Sequence, residues 1–446
     1  MKFPAYPKYK PSGVEWLGDV PKHWEVKRLK WVGESIIGLT YSPTDVVNEG
    51  EGTLVLRSSN IQGGRIVFDD NVFVSAEIPR RLRTRPNDIV ICTRNGSRDL
   101  VGKTGKISER DAGLTFGAFT AVFRSSSNAY MFYVFNSSLF SFQAGLYQTS
   151  TIFQLTNGTI NAFQIPLPPS DEQQAIADFL DAQTARLDAL LAKRRALIEK
   201  LSEKRIALIS RTVTRGLNPN VKLKSSGIEW LGDVPEHWQA KPLKYAASIK
   251  TGFAFSADEF TDEGIPVLRI GDITQDGRVD LSGAKFLPAD FLGSNRDVIV
   301  RKHDIVMAMT GATIGKVGRY NFESPALLNQ RVCIFRSNPE TDRNFLWFIL
   351  NTEFYFEHVA LTAFGGAQPN ISDTELLACA VPFPPLAEQI AIVEFLDRET
   401  AKLDLMMEKV EAAIGKLQEY RTAMITAAVT GKIDVRGKVA VAPAKR

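Results

Sequence analysis

Gly102-Lys103-Thr104 has the residue types that close a phosphate-binding loop, so it is the first candidate for chemistry. Such a loop needs a glycine, four residues, then Gly-Lys-Ser/Thr, so that backbone N–H groups and the lysine converge on phosphates. Five residues separate Gly96 from Gly102. A second version, Gly311 to Gly315, has three, and Val317 stands where the hydroxyl residue should be. These departures argue against a nucleotide site and for a glycine-rich turn between two strands. From such turns Lys103 and Lys316 could still reach a DNA phosphate. The four histidines, His23, His237, His303 and His358, are not spaced with cysteine or with one another as metal ligands are. No serine sits in a nucleophile elbow, and the carboxylates form no evident catalytic pair. The expectation is a chain with no catalytic residue, no metal and no cofactor of its own.

Bulk composition agrees with a globular protein of several domains. The 446 residues are 44% hydrophobic and 23% charged. Fifty-four basic against 50 acidic residues leave a formal charge of +4, which favours nucleic acid only weakly. Cys92, Cys333 and Cys379 lie in mostly apolar surroundings without ligand spacing and read as thiols of a reducing compartment. The amino terminus lacks the apolar core of a secretory signal, and no apolar run is long enough to span a bilayer. A cytoplasmic location is the expectation.

The elements that must carry any site are repeated. Gly13–Trp24 reads GVEWLGDVPKHW and returns 214 residues later as GIEWLGDVPEHW, with ten of twelve positions identical. Trp16, Leu17 and Trp24, with Trp230, Leu231 and Trp238, are expected to tuck each arm onto a body; an aromatic ligand surface around Pro21 and Pro235 is the alternative. Residues 25–168 and 239–384 show short apolar runs between turns, including Thr53–Arg57, Asp88–Thr93 and Phe119–Phe123, and read as strands. The frames share Arg57 with Arg269, Asp88 with Asp304, and Gly102-Lys103 with Gly315-Lys316, while the sequence between differs. One helix is expected near the end of each body, about 129–142 and 343–359.

Each body closes on a proline hinge, IPLPPSDEQ and VPFPPLAEQ, that suits the start of a helix. From Ser170 to Arg211 there is no proline or glycine, and the seam Ile176, Leu180, Leu187, Leu190, Leu197, Leu201 and Leu208 follows a broken heptad. It repeats 216 residues on as Ile392, Leu396, Leu403, Met406, Ala413, Leu417 and Met424. Two rods of ~60 Å could pack antiparallel, stopping at Gly216 and Gly431; an ordinary kinked bundle is the alternative. The predicted class is α+β: two strand-rich bodies separated by two long helices in an antiparallel coiled coil, with a pseudo-twofold repeat. The expected divisions are 1–168, 169–214, 215–384 and 385–431, then a flexible basic tail at 432–446. Bodies held apart in this way suit bipartite reading of duplex DNA.

With these motifs in place, the chain resembles the specificity subunits (HsdS) of type I restriction-modification systems over nearly its whole length. The arms GVEWLGDVPKHW and GIEWLGDVPEHW carry the resemblance, with the entries PLPPSDEQQAIADFLD and PFPPLAEQIAIVEFLD and the segments LDALLAKRRALIEKL and LDLMMEKVEAAIGKL. It implies that residues 1–168 and 215–384 are target recognition domains, each reading one half of an asymmetric split DNA site. The helices would set the spacer and recruit two modification (HsdM) subunits that use S-adenosylmethionine. Restriction (HsdR) subunits using ATP and Mg2+ would join them, and this subunit would do no chemistry. A protein scaffold without DNA sequence preference is the competing reading.

Base edges are read mostly by arginine, lysine, asparagine and glutamine. The candidates in the first body are Arg57, Ser59, Asn60, Arg94, Asn95, Arg98, Lys103 and Gln148. In the second they are Arg269, Asp272, Thr310, Lys316, Asn329, Gln330, Arg331 and Gln368. Arg57 and Arg269 belong to both frames, which favours structure or phosphate contact; Arg94, Asn95 and Gln368 differ, which favours selectivity. Partner-binding candidates on the helices are Ile176, Leu180, Leu187, Leu190, Leu197, Leu201, Ile392, Leu396, Leu403, Met406 and Leu417. The run Lys193-Arg194-Arg195 is assigned to solvent or protein ahead of DNA.

Overall fold

Residues 170–215 contain nothing that breaks a helix, and they form one: α1, Ser170–Arg215. Pro168 and Pro169 set the entry, and Asp171 and Glu172 lie in the first turn, where carboxylates complement the positive helix end. The second helix, α2, spans Leu386–Val429. Both terminate as the glycines foretell: Gly216 has φ +71° and Gly431 has φ +70°. At Gly431 a Cβ would lie 2.3 Å from Pro21, and at Gly216 it would lie 3.1 Å from the Trp238 ring. Each glycine therefore both ends a helix and lets an arm pack against that end.

The structure is a computed structural model that describes residues 3–146, 154–274, 276–294, 296–365 and 369–437. The chain is α+β and forms two compact units, one of residues 1–194 with 411–446 and one of residues 195–410. Each unit takes one half of each long helix, so the helices are shared between the units and are not the separate divisions expected. Within the first unit Asp188 of α1 pairs with Arg421 of α2 at 3.0 Å. Within the second, Arg205 pairs with Asp404 at 2.9 Å. In both units an early segment of one helix lies beside a late segment of the other, the antiparallel arrangement.

The first unit is built on a four-stranded antiparallel sheet in the order Thr104–Lys106, Ile89–Cys92, Thr120–Arg124, Glu34–Ile37. A second sheet runs Thr115–Phe116, Thr53–Leu56, Phe73–Val74, Val46–Val47, with its first pair parallel. The alternation of the first sheet explains its unbroken apolar runs. Ile89, Ile91, Ala121 and Phe123 join a core with Ile176, Leu180 and Met424 of the long helices. Val90, Cys92 and Val122 join the other core, with Leu56 and Phe116. Both faces are buried, so no polar alternation survives. The helix expected at 129–142 is two, Asn128–Phe135 and Ser138–Leu146. The break at Asn136-Ser137 lets the Asn136 amide donate to Thr104 Oγ1 at 2.8 Å.

The second unit repeats this plan. Its main sheet is Ala247–Thr251, Val332–Ser337, Ile305–Ala308, Val317–Arg319, and its second is Lys285–Leu287, Ile265–Leu268, Ala326–Leu328, Ile299–Val300. Ile305, Met307, Cys333 and Phe335 face the core that holds Ile392 and Leu396. Val306, Ala308, Val332 and Ile334 face the other core, with Leu268 and Leu328. The helix expected at 343–359 also divides, into Arg343–Leu350 and Glu353–Thr362.

Two expectations need correction. The tail is ordered as far as it is described. Val435 is buried, the Asp434 N–H donates to the Pro4 carbonyl at 2.7 Å, and Arg436 pairs with Asp434 at 2.7 Å. Residues 438–446 lie outside the described residues. Of the arm aromatics, Trp24 and Trp238 are fully buried, but Trp230 is exposed. Among the described residues no helix is long and apolar enough to cross a membrane.

Candidate nucleic-acid interface

The parallel strand pair in each unit brings three loop starts to one sheet edge. In the first unit Gly117 N–H donates to the Leu56 carbonyl at 3.0 Å, and the N–H groups of Thr93 and Arg94 donate to the Phe119 carbonyl at 2.9 and 3.1 Å. Residues 57–60, 94–98 and 117–119 therefore converge. In the second unit Asn329 N–H donates to the Leu268 carbonyl at 3.0 Å, and Met309 N–H donates to the Arg331 carbonyl at 2.9 Å. Gly311 N–H reaches the Pro369 carbonyl, and Gln330 N–H reaches Phe253. Here the converging segments are 269–272, 310–311, 329–331 and the turn at Phe253. The same backbone frame carries different side chains: Arg94 and Phe119 in one unit, Thr310 and Arg331 in the other.

The frame is held by residues on the candidate list that it consumes. Asn60 is fully buried; its Oδ1 accepts the Arg57 N–H at 2.9 Å and its amide donates to the Val67 carbonyl at 3.0 Å. Arg57 reaches Asp70 Oδ2 at 2.6 Å. Asp272 performs the same task, accepting the Arg269 N–H at 2.7 Å, while Arg269 donates to the Gly283 carbonyl at 2.8 Å. Burial raises the Asp272 carboxyl's pKa, and the Arg269 N–H and guanidinium partly oppose that. Sequence reasoning offered Asn60 and Asp272 to DNA bases. The structure corrects both, because each side chain is buried and bonded to its own loop. Lys316 is corrected as well: its ammonium donates to the Ile273 carbonyl at 3.1 Å.

The remaining candidates are more open. Arg94 is exposed, and its guanidinium lies 5.1 Å from the Phe119 ring centroid. Asn95 is half-buried and donates to Ser58 Oγ at 3.0 Å. Ser59 is half-buried, with its hydroxyl unpartnered. Arg98 is exposed at the start of a short 3-10 turn, and Lys103 is half-buried. Thr310 carries a buried, unpartnered hydroxyl beside Asn370, to which its backbone is bridged. Asn329 Oδ1 accepts the Arg331 N–H at 3.2 Å, and Gln330 and Arg331 are exposed. Gln148 and Gln368 lie outside the described residues. Sequence reasoning missed Phe119 and Phe253, both more than half exposed at this edge. An aromatic at a strand end looks like core until the sheet topology is known.

The lysine turns are hairpin connections. Gly102, at φ +91°, donates to the Cys92 carbonyl at 2.8 Å, and Cys92 N–H returns to the Lys103 carbonyl at 2.8 Å. Gly315 and Ala308 make the same exchange in the second unit. Below each hairpin an ion pair fixes the strand carrying it: Arg124 to Asp88 at 2.9 Å, and Arg336 to Asp304 at 3.4 Å.

Some helix candidates are also spoken for. Ile176, Leu180, Ile392 and Leu396 are buried in the cores of their own units, which corrects their assignment to partner binding. Leu403 is buried as well, while Leu187, Leu201 and Leu417 are partly buried. Leu190, Leu197 and Met406 are exposed.

Comparison with known proteins agrees with this geometry. Residues 21–200 and 235–414 each match a family model described as "Type I restriction modification DNA specificity domain". The chain is 30% identical to the type I restriction enzyme MjaVIII specificity subunit of Methanocaldococcus jannaschii, over 61% of this chain and 63% of that one. It is 24% identical to the EcoKI specificity subunit of Escherichia coli K12, over 94% of this chain and 91% of that one. A chain solved in a study of complex assembly and conformational transition of the type I R-M system superposes with a TM-score of 0.65 at 17% identity. That match covers 92% of this chain and 98% of the other, and it supports the fold.

Proposed function

Because this chain belongs to the family of type I restriction modification DNA specificity domains, we propose that it is the DNA-reading subunit of such a complex. Each unit reads one half of a bipartite, asymmetric site. The observation that carries this reading is the pair of equivalent sheet edges, alike in backbone and different in side chains. A repeat built to bind one word twice would keep Arg94 and Phe119, yet the second edge presents Thr310 and Arg331 in the corresponding loops. Arg94 and Arg331 stand exposed at the two edges as base readers, while Arg98, also exposed, suits a phosphate contact that positions the duplex without reading it.

The long helices fix the gap between the half-sites and dock two modification subunits through exposed apolar positions such as Leu190, Leu197 and Met406. Those subunits use S-adenosylmethionine to methylate adenine, and restriction subunits add ATP- and Mg2+-dependent cleavage. The present subunit contributes recognition and assembly in the cytoplasm and no catalytic group. Selection from a randomised duplex library tests this, using the chain co-expressed with its modification subunits at near-physiological salt. Two short fixed words at constant spacing are expected. Replacing residues 239–384 with another body should change one word only. An intact complex that enriches no word would leave a scaffold as the function.

A further inference from the structure

The two arms end in corresponding carboxylate sites that are filled differently. In the first unit Glu172 is buried and its carboxylate has three partners, two from its arm and one from the run before it. Oε1 accepts Tyr6 O–H at 2.5 Å and Trp24 Nε1–H at 3.0 Å, and Oε2 lies 2.7 Å from His23 Nε2. The Tyr6 ring is almost fully buried and stands edge-on to Trp24 with centroids 5.6 Å apart. Two separate stretches of chain wall this site, the amino-terminal run through Tyr6 and the run after Gly431 that carries Asp434 and Arg436. Arg436 lies 4.9 Å from the Tyr6 centroid.

In the second unit the carboxylate is Glu388, with His237 Nε2 at 2.6 Å and Trp238 Nε1 at 2.9 Å. The arm offset of 214 residues puts Asn220 where the first copy has Tyr6, and Asn220 is exposed. One continuous stretch after Gly216 serves here for the two stretches of the first site. An open-sided pocket of about 300 Å³ results, lined by Leu217, Val221, Pro235, Ile392, His237 and Glu388. Among the described residues Glu388 Oε2 accepts only the Trp238 bond, and the Glu388 side chain is 42% exposed against 5% for Glu172.

We propose that this pocket is a socket for a tyrosine side chain of a partner protein, completing in trans the site that Tyr6 completes in cis. Leu217, Val221, Pro235 and Ile392 offer the ring an apolar wall, and Glu388 accepts the phenolic O–H as Glu172 does from Tyr6. A phenylalanine would displace water from the carboxylate without supplying a donor in its place. The occupant is a peptide side chain because the filled copy receives its phenol from a run of chain, the residues before the Tyr9–Pro11 strand, and the second pocket is open-sided. This inference does not depend on which DNA is read.

Saturation-transfer NMR on the full chain tests it, with N-acetyltyrosinamide as probe and N-acetylphenylalaninamide and p-cresol as comparisons. The tyrosine probe is expected to bind about tenfold more tightly than the phenylalanine probe, the worth of one hydrogen bond to a carboxylate. Asn220→Tyr should abolish transfer by filling the socket from within. Glu388→Gln should keep binding but shrink the tyrosine preference. Equal binding of the two amides overturns the proposal, as does full transfer to a folded Asn220→Tyr protein. Binding of p-cresol without binding of N-acetyltyrosinamide also overturns it, because the site would then take a free phenol and no peptide.

Discussion

Substitution of Glu172 should be far more damaging than substitution of its repeat partner Glu388, although sequence treats them alike. Glu172→Ala strands two buried donors, Tyr6 O–H and Trp24 Nε1–H, and removes the acceptor facing His23. An unsatisfied buried donor costs about 1–3 kcal/mol. The half-exposed His23 can turn to water and adds little, so the loss is about 4 kcal/mol in the first unit. Glu172→Gln keeps one carbonyl for Tyr6 and Trp24 and loses only the charge assistance, for about 2 kcal/mol. Glu388→Ala strands one donor, Trp238 Nε1–H, beside a pocket that admits water, so about 1 kcal/mol is expected after allowing for solvent. Because the chain has two compact units, a single melting midpoint would blend them. Hydrogen exchange read by mass spectrometry gives local opening free energies instead. Peptides from the start of α1 should lose protection by roughly a thousandfold in Glu172→Ala. Those from the start of α2 should lose less than tenfold in Glu388→Ala. Equal losses in the two variants would refute the argument that burial and the Tyr6 bond separate the sites.

Other outcomes follow from the same geometry. Arg94→Ala should relax preference at one position of one DNA word, costing about 1–3 kcal/mol there, and Arg331→Ala should do so in the other word; library selection on each variant is the check, and an unchanged pair of words in both would remove these residues from the interface. Lys316→Met should destabilise the second unit without changing the log–log salt slope of DNA binding, because its ammonium is held by the Ile273 carbonyl. A slope shallower by about 0.9 would show that it meets a phosphate after all. The Asp434 carboxyl is held below its usual pKa, first by its hydrogen bonds to Arg436. A carboxyl lowered in the folded state contributes stability above its unfolded pKa of about 3.9 and loses it as pH falls through the lower folded value. The stability gap between wild type and Asp434→Asn should therefore be widest near neutrality and close as the pH drops through that window.

The legible part of this protein was what repeats. Helix ends at Gly216 and Gly431, proline entries at Pro169 and Pro385, and strands around Val55, Val90 and Val122 each rest on local chemistry: a left-handed φ, a fixed φ, an apolar run between turns. Local chemistry also produced the errors. Asn60 and Asp272 look like base readers because polar residues after a strand usually face solvent. Both instead turn inward to close the loop that follows, and nothing nearby in sequence announces Val67 or Asp70 as partners of Asn60. Ile176 and Leu180 fit a heptad, yet the period alone cannot say whether the seam meets a helix or a sheet; here it joins a core with Ile89 and Phe123.

The repeat hides its own asymmetry for a related reason. Pattern matching aligns Trp24 with Trp238 and Glu172 with Glu388, and both pairs do occupy equivalent sites. The difference lies in what stands beside them. The first arm follows the run through Tyr6, and its site is also walled by the run after Gly431 that carries Asp434 and Arg436. The second arm runs straight on from α1 and has no second strand to offer. Connectivity thus gives one copy a buried carboxylate with three partners and the other a pocket, although the arms share ten of their twelve residues. A duplicated frame need not yield duplicated sites, and the same holds at the sheet edges, where one backbone presents Arg94 with Phe119 and the other presents Arg331.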